Sequence, residues 1–375
     1  MKIAVLGAGM VGRAIASDLS AQHRVTAFDV NATNLSLLNK RNPAIKTQKT
    51  DLTDYGSYLN LLDGFDMAVT AVPGFMGYKT LEAVINCGKN VADISFFPED
   101  VLQLDALAKQ KGVTVITDVG VAPGMSNLIL GYYNELMKVN SFECYVGGLP
   151  QNPQPPFYYK APFSPVDVIQ EYIRPARLQE KGKIVTKPAL TEREIINFDG
   201  VGKLEAFNTD GLRSLLFTMS HIPDMKEKTL RHPGHIDLVV SLKQAGFFES
   251  NPVDVNGIKI SPLEFSSKIL INEWKLGEEE EEFTVMRVIV EGEINNSKKT
   301  IEYNLLDRYD AVSKTSSMAR TTGYTCTAAV HLIEKGLFKE KGVFPPELAG
   351  KHRKCFEFVL GYLRERGVVW KYMDQ

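Results

Sequence analysis

The sequence predicts an α/β fold: a doubly wound parallel sheet at the N-terminus, followed by a second α+β domain with a mixed or antiparallel sheet. Three observations carry this. Gly7-Ala8-Gly9-Met10-Val11-Gly12 stands directly behind the apolar run Ile3-Ala4-Val5-Leu6. Strands and helices then alternate with short joins for the first third of the chain. From Ser141 the texture changes to a proline-rich crossing and, later, a hairpin pattern.

Taken in order, Ile3–Leu6 reads as a buried strand and Arg13–Leu19 as the helix behind the glycine turn. In a turn of this kind the first glycine permits the tight bend, the second lets backbone approach a pyrophosphate, and the third lets helix pack on strand. The pyrophosphate then sits on the unpaired N–H groups at the positive end of the helix dipole. A second strand, Arg24–Phe28, ends in Asp29, where a ribose-binding acid is expected. These features together make the first unit a Rossmann domain. Ile45–Gln48 follows as a strand, then Asp51-Leu52-Thr53-Asp54 as the cap of a helix through Leu62. Met67–Val72 is a strand broken by Pro73-Gly74, ahead of a helix from about Tyr78 to Cys87. Val91–Ser95, a helix opened by Pro98 and Glu99 that ends near Gly112, and Val113–Thr117 continue the alternation. Asp118 to Gly124 leads into a helix from Met125 to Met137.

Gly147-Gly148-Leu149-Pro150 with Pro153, Pro155 and Pro156 reads as a rigid, turn-rich crossing. Ile269–Leu276 is expected to be a strand, and Glu278–Glu282 a solvated acidic turn. Phe283–Val290 pairs with Lys299–Leu305 around an Asn295-Asn296-Ser297 turn. Met318–Gly336 reads as a helix, and Phe344-Pro345-Pro346-Glu347 introduces another. The domain division expected is 1–122, a cofactor-binding Rossmann domain; 123–310, a substrate-binding and dimerisation domain; and 311–375, helices returning to the Rossmann domain.

The 375 residues are 44% hydrophobic and 23% charged, with a net charge of −2, which gives no support to a nucleic-acid or membrane partner. The first strand begins at residue 2, so no signal peptide is expected. The four cysteines lie far apart without C-x-x-C spacing, which argues for reduced thiols in a cytoplasm.

Ligands of open α/β sheets bind beyond the carboxyl ends of the strands. That rule selects Val72-Pro73-Gly74 with Phe75, Ser95-Phe96-Phe97, and Asp118 to Gly124. The cofactor-binding set is then Gly7, Gly9, Met10, Val11, Gly12, Asp29, Asp51, Val72 and Pro73. Asp29 accepts ribose hydroxyls but repels a 2′-phosphate, and Val30-Asn31-Ala32 supplies no arginine to offset it, so NAD is preferred over NADP. In the second domain, Arg213 and Arg231 have the planar fork that clamps a carboxylate. His232 or His235 can take a proton at neutral pH. The H-x-x-H spacing lacks the further ligands of a zinc site, and no metal is expected.

GAGMVG (7–12), DVGVAPGMSN (118–127), YVGGLP (145–150), EAFNTDGLRS (205–214), TLRHPGH (229–235), MARTTGYT (318–325) and GVFPPE (342–347) together resemble the saccharopine dehydrogenase family. Within it the chain looks most like the short branch of NAD-dependent L-lysine 6-dehydrogenases and their saccharopine-dehydrogenase-like relatives. The resemblance spans essentially the whole chain. It implies a homodimer, a Rossmann domain completed by C-terminal helices, and substrate held by Ser95, Phe96, Asp118, Arg213, Thr229, Leu230 and Arg231. The loop 72–77 departs from the polar loop of some lysine dehydrogenases. The activity implied is oxidation of a C–N bond of a small, lysine-like amino acid, with Asp118, His232 and His235 as catalytic candidates. The alternatives are an NADP-dependent, glutamate-forming saccharopine dehydrogenase, a carboxynorspermidine-type reductive condensation, or a non-catalytic NAD sensor.

Overall fold

The computed structural model describes residues 1–163 and 165–374. Its first half is β1 (Lys2–Leu6), α1 (Met10–Ser20), β2 (Arg24–Asp29), α2 (Ala32–Arg41), β3 (Lys46–Lys49), α3 (Tyr58–Leu61), β4 (Met67–Thr70), α4 (Gly74–Asn86) and β5 (Asn90–Asp93). Next come α5 (Asp105–Lys111), β6 (Thr114–Ile116), α6 (Met125–Asn134) and β7 (Lys138–Pro150). The middle of the chain adds α7 (Pro165–Ile173), β8 (Ala176–Glu180), β9 (Lys183–Lys187), β10 (Glu194–Phe198), β11 (Gly202–Asn208), α8 (Leu215–Thr218), β12 (Asp224–Arg231) and α9 (His235–Gln244). A small hairpin, β13 (Val253–Val255) and β14 (Ile258–Ile260), precedes α10 (Pro262–Trp274), β15 (Glu282–Ile294) and β16 (Ser297–Arg308). The chain ends with α11 (Ser317–Glu334), β17 (Gly342–Phe344), α12 (Pro346–Gly350), α13 (Arg353–Glu365) and β18 (Trp370–Asp374).

Two large sheets result. The first is all parallel, in the order β17-β6-β5-β4-β1-β2-β3, so strand order reverses beside β1. Val5, Val69, Ala92 and Ile116 are wholly or almost wholly buried in it, as parallel strands covered on both faces must be. The second sheet runs β10-β11-β12-β7-β15-β16-β18, with β8 and β9 branching from β12; it is antiparallel except where β12 lies parallel to β7. The doubly wound first sheet and the mixed second sheet are those the sequence predicts. Among the described residues no helix is long and apolar enough to cross a membrane.

The hairpin of β15 and β16 forms about Asn295 (φ 50°) and Asn296 (φ 65°), two positive-φ positions that asparagine tolerates. Three expectations are corrected. Ile269–Leu276 is not a strand: Ser261 caps α10, Pro262 opens it, and Ser266, Leu270 and Trp274 bury one stripe at helical spacing. Gly147–Pro150 is not a turn but the end of β7, paired with β15 from Gly147–Val285 to Pro150–Glu282. The helix expected from Asp51 to Leu62 shrinks to one turn of 3-10 helix and the four residues of α3. Beyond these, β17 is a seventh parallel strand that the Phe344-Pro345-Pro346 reading concealed.

The C-terminal segment serves both sheets. Helix α11 packs on α1, with Gly323 against Ala14 and Ile15, while Thr327, Tyr362 and Arg366 all bond the Asp18 carboxylate. Strand β18 then pairs with β16 at the edge of the second sheet.

Candidate active site

A cavity of about 1250 Å³ runs from the glycine turn, across the carboxyl ends of β1, β4 and β6, to the wall formed by α7, β12 and the loop before α8. At one end the structure carries the marks of a dinucleotide cradle. Gly7 has φ +104°, and a Cβ there would come 2.3 Å from the Ala71 carbonyl oxygen. A Cβ on Gly12 would come 2.1 Å from the Gly7 carbonyl oxygen, so only hydrogen fits between α1 and β1. At Gly9, which caps α1, a Cβ would meet nothing within 4 Å: this is the open face a phosphate approaches. Asp29 draws the turn together, accepting from Ala8 N at 2.7 Å (Oδ2) and Asn31 N at 2.7 Å (Oδ1). The helix end, the open Gly9 face and the Asp29 carboxylate fit a nicotinamide dinucleotide.

Each expected cofactor residue, Gly7, Gly9, Met10, Val11, Gly12, Asp29, Asp51, Val72 and Pro73, lines this cavity. Asp51 is fixed by Thr53, whose N–H and hydroxyl both donate to its Oδ1, and these bonds lower its pKa below the usual carboxylate value. Phe75 stands beside Pro73 with 76% of its surface exposed, a large apolar side chain held at the mouth.

The other end is acidic. Asp118, Asp167, Glu171, Asp210 and Glu227 line it, with Arg174 and Arg231. Asp118 and Arg213 both have left-handed backbone (φ 52° and 47°) and meet through Nε and Oδ2 at 2.9 Å. Arg213 also donates to the Phe97 carbonyl oxygen at 2.6 Å and lies 4.6 Å from the centre of the Phe96 ring. Arg231 donates to the Tyr172 hydroxyl, the Leu230 carbonyl oxygen and Glu171 Oε2, at 2.9, 2.9 and 3.0 Å.

The structure therefore redistributes the roles the sequence suggests. Phe96, Asp118, Thr229 and Arg231 line the cavity; Ser95, Leu230, Arg213, His232 and His235 do not. Arg213 is spent on Asp118 and the Phe97 carbonyl, so the pair Arg213 and Arg231 is no open clamp. His235 is wholly buried between the Tyr172 hydroxyl and the Phe157 carbonyl oxygen, and burial with Arg231 nearby pushes its pKa down to about 3. His232 faces the Pro150 carbonyl oxygen at 3.1 Å, and burial lowers its pKa too. Neither imidazole reaches the cavity, and neither is placed to take a substrate proton. Leu230 belongs to the core, and Ser95 is buried.

Two residues that the sequence reading passed over take their place. Arg174 borders the cavity, and among the described residues its guanidinium has no hydrogen bond or ion pair; it stands 5.8 Å from the Phe96 ring centre. Glu227 is a buried carboxylic acid on β12 whose Oε2 has no hydrogen-bond partner among the described residues. Burial, reinforced by Glu171, Asp210 and Asp118, pushes its pKa up to about 8. Gly211 makes room for it: a Cβ there would fall 1.8 Å from Glu227 Oε1. Neither residue has a motif around it, and β12 has no in–out alternation that would mark Glu227, since Glu227 to Arg231 are all buried.

Comparison with known proteins identifies the family. The family model described as "Saccharopine dehydrogenase NADP binding domain" matches residues 3–116, and "Saccharopine dehydrogenase C-terminal domain" matches residues 120–368. The chain belongs to the saccharopine dehydrogenase family. Carboxyaminopropylagmatine dehydrogenase of Synechocystis sp. is 22% identical, with 92% of both chains covered. Mitochondrial alpha-aminoadipic semialdehyde synthase of Mus musculus is 22% identical over 98% of this chain. The chain spans less than half the length of the synthases it matches. Among solved structures, apo saccharopine dehydrogenase (L-Glu forming) of Saccharomyces cerevisiae shares the fold with a TM-score of 0.80 at 20% identity, covering 100% of this chain and 99% of that one.

Proposed function

We propose that this saccharopine dehydrogenase family member is a nicotinamide-dependent oxidoreductase that oxidises a C–N bond of a lysine-like amino acid, with L-lysine 6-dehydrogenase as the leading activity and NAD as cofactor. The observation that carries this is the continuity of one cavity from the Gly9–Asp29 cradle to an acid-rich wall with a single uncommitted guanidinium, Arg174. Asp118, Glu171 and Asp210 are already paired with Arg213, Arg231 and Arg177. That leaves Arg174 for a single substrate carboxylate and suits a substrate with one carboxylate and a basic amine. It suits poorly a substrate with several carboxylates, such as saccharopine.

Bound in the cradle, the nicotinamide supplies the hydride acceptor. Arg174 takes the substrate carboxylate through charge-assisted hydrogen bonds. Asp118, its carboxylate held from behind by Arg213, orients the amine. Glu227 in its ionised form accepts the amine proton as hydride leaves the adjacent carbon, giving an imine. Water then releases ammonia and a semialdehyde. Phe75 and Phe96 shield the reacting carbon from solvent.

The second reading is a secondary amine carrying a guanidinium. It rests on the near-equal length match to the Synechocystis carboxyaminopropylagmatine dehydrogenase and on the same acidic wall, which a guanidinium fits as well as an ammonium. The test is absorbance of reduced cofactor across amino acids and polyamine conjugates, with NAD and NADP in parallel. Lysine with NAD is the expected pair. Turnover only for saccharopine with NADP would overturn the assignment, and cofactor binding without any turnover would point to a sensor.

A further inference from the structure

At the adenosine end of the cavity the two halves of the chain meet in a charge cluster. Arg13 follows the last glycine of the turn, and its side chain is 5% exposed. Its Nη1 reaches the Ala8 carbonyl oxygen and Asn34 Oδ1, both at 3.4 Å, and the Asn34 amide in turn reaches Asp29 Oδ2 at 3.4 Å. One side-chain amide thus separates this guanidinium from the carboxylate expected to hold the ribose. Its Nη2 donates to both oxygens of Glu278, at 2.7 and 2.8 Å, and Arg41 donates to Glu278 Oε2 at 3.1 Å. Glu278 comes from the loop between α10 and β15, outside the first sheet; its neighbour Glu279 pairs with Lys314, and the Gly277 N–H donates to Glu280. Gly277 and Glu278 line the same cavity as Asp29, Asn31 and Asn34. The acidic run is therefore not merely a solvated turn.

Resting on the nicotinamide reading above, we infer that Glu278 is a cofactor-selectivity residue: its carboxylate occupies the Arg13 and Arg41 guanidiniums that a 2′-phosphate on the adenosine ribose would need. A carboxylate bonded to a guanidinium through both oxygens imitates two of the three acceptor oxygens of a phosphate monoester. While it stays, a 2′-phosphate meets Asp29 and Glu278 with both arginines already engaged, and a 2′-hydroxyl meets the Asp29 acceptor. Removing Glu278 frees Arg13 Nη2 and the Arg41 guanidinium and turns the same end of the cavity towards NADP.

The measurement is calorimetric titration of the whole protein, as purified wild type and as Glu278→Gln and Glu278→Ala, with NAD, NADP, AMP and adenosine 2′,5′-bisphosphate. Two substitutions are used so that one poorly folded variant does not decide the result. The expected outcome is a rise of tenfold or more in the NADP-to-NAD affinity ratio, matched by the bisphosphate-to-AMP ratio, and reversal of that rise by Arg13→Gln in the Glu278→Gln background. Unchanged ratios in both variants overturn the inference even if thermal stability falls, because a purely structural clasp predicts that pattern. Absence of binding by the wild type to every one of these nucleotides overturns the nicotinamide reading itself, and the inference with it.

Discussion

At the cofactor end, the turn and the ribose acid lie within one span, Gly7 to Asp29, and act through backbone N–H groups, missing side chains and one carboxylate. At the substrate end, the wall is assembled from Phe96, Asp118, the α7 residues Asp167 and Glu171, Arg174 directly after that helix, Asp210, and the β12 residues Glu227 and Arg231, and it acts through side-chain charge. The first tolerates no added atom at Gly7 or Gly12 and is written largely in consecutive residues. The second accepts volume changes but depends on every neighbouring charge, since an unbalanced ion in a buried wall is expensive.

The contrast can be broken most severely at the glycines. Gly12→Ala forces a Cβ against the Gly7 carbonyl, and the expected result is loss of cofactor affinity by about a hundredfold or more with a lowered melting temperature. Affinity within threefold of wild type by fluorescence titration would show that the turn relaxes, and the contrast would fail.

Glu227→Gln tests the opposite principle. Removing the proton acceptor lowers the oxidation rate by about 10²-fold to 10⁴-fold, the usual range for general base catalysis. Glu227 is ionised only above about pH 8, so wild-type oxidation rises with pH through that value and the variant loses this limb. The stability signature runs the other way. Between the ordinary value of 4.5 and about 8 the folded protein holds a proton that the unfolded chain has lost, so stability falls as pH rises through that window. Chemical denaturation at several pH values should show a flatter profile in the variant.

Smaller effects separate the arginines. Arg174→Ala should raise KM for the amino acid by about 10-fold to 100-fold, as expected for one charge-assisted contact, with kcat much less affected. Arg213→Ala should instead lower kcat and stability together, because it leaves Asp118 without its counter-ion. Identical kinetic changes in the two variants would erase the distinction between an open and a committed guanidinium. The smallest effect belongs to His232→Gln, for which kcat should stay within about threefold, since the ring faces the Pro150 carbonyl and not the cavity. A loss of 10²-fold there would return histidine to the chemistry.

How much of this was legible in the sequence follows from the same division. The glycine turn, Asp29 and the strand-end loops were readable because each is a local backbone requirement written in consecutive residues. The parallel sheet followed from alternation, apart from β17, whose three residues are too short for a pattern of their own. Helix α10 was misread because Ile269–Leu276 is apolar enough for a strand, and only the Ser261-Pro262 start and the Leu270–Trp274 spacing mark the helix. Arg213 and Arg231 were found by residue type, but type cannot say whether a guanidinium is already bonded. Arg174 and Glu227 were invisible for the complementary reason: their value lies in the partners they lack.

Strands β7 and β12 lie side by side and point the same way, so the chain must travel from the end of one back to the start of the other. That return path carries α7, with Asp167, Gln170 and Glu171, then Arg174 just past its end, and the Thr209-Asp210-Gly211 stretch. Much of the substrate wall is thus a single continuous insert between two fixed strands, whereas the nucleotide turn and Glu227 lie outside it. For protein engineering this makes the segment an exchangeable cartridge. Grafting the corresponding stretch of another family member would change what is oxidised without disturbing the nucleotide turn that receives the cofactor.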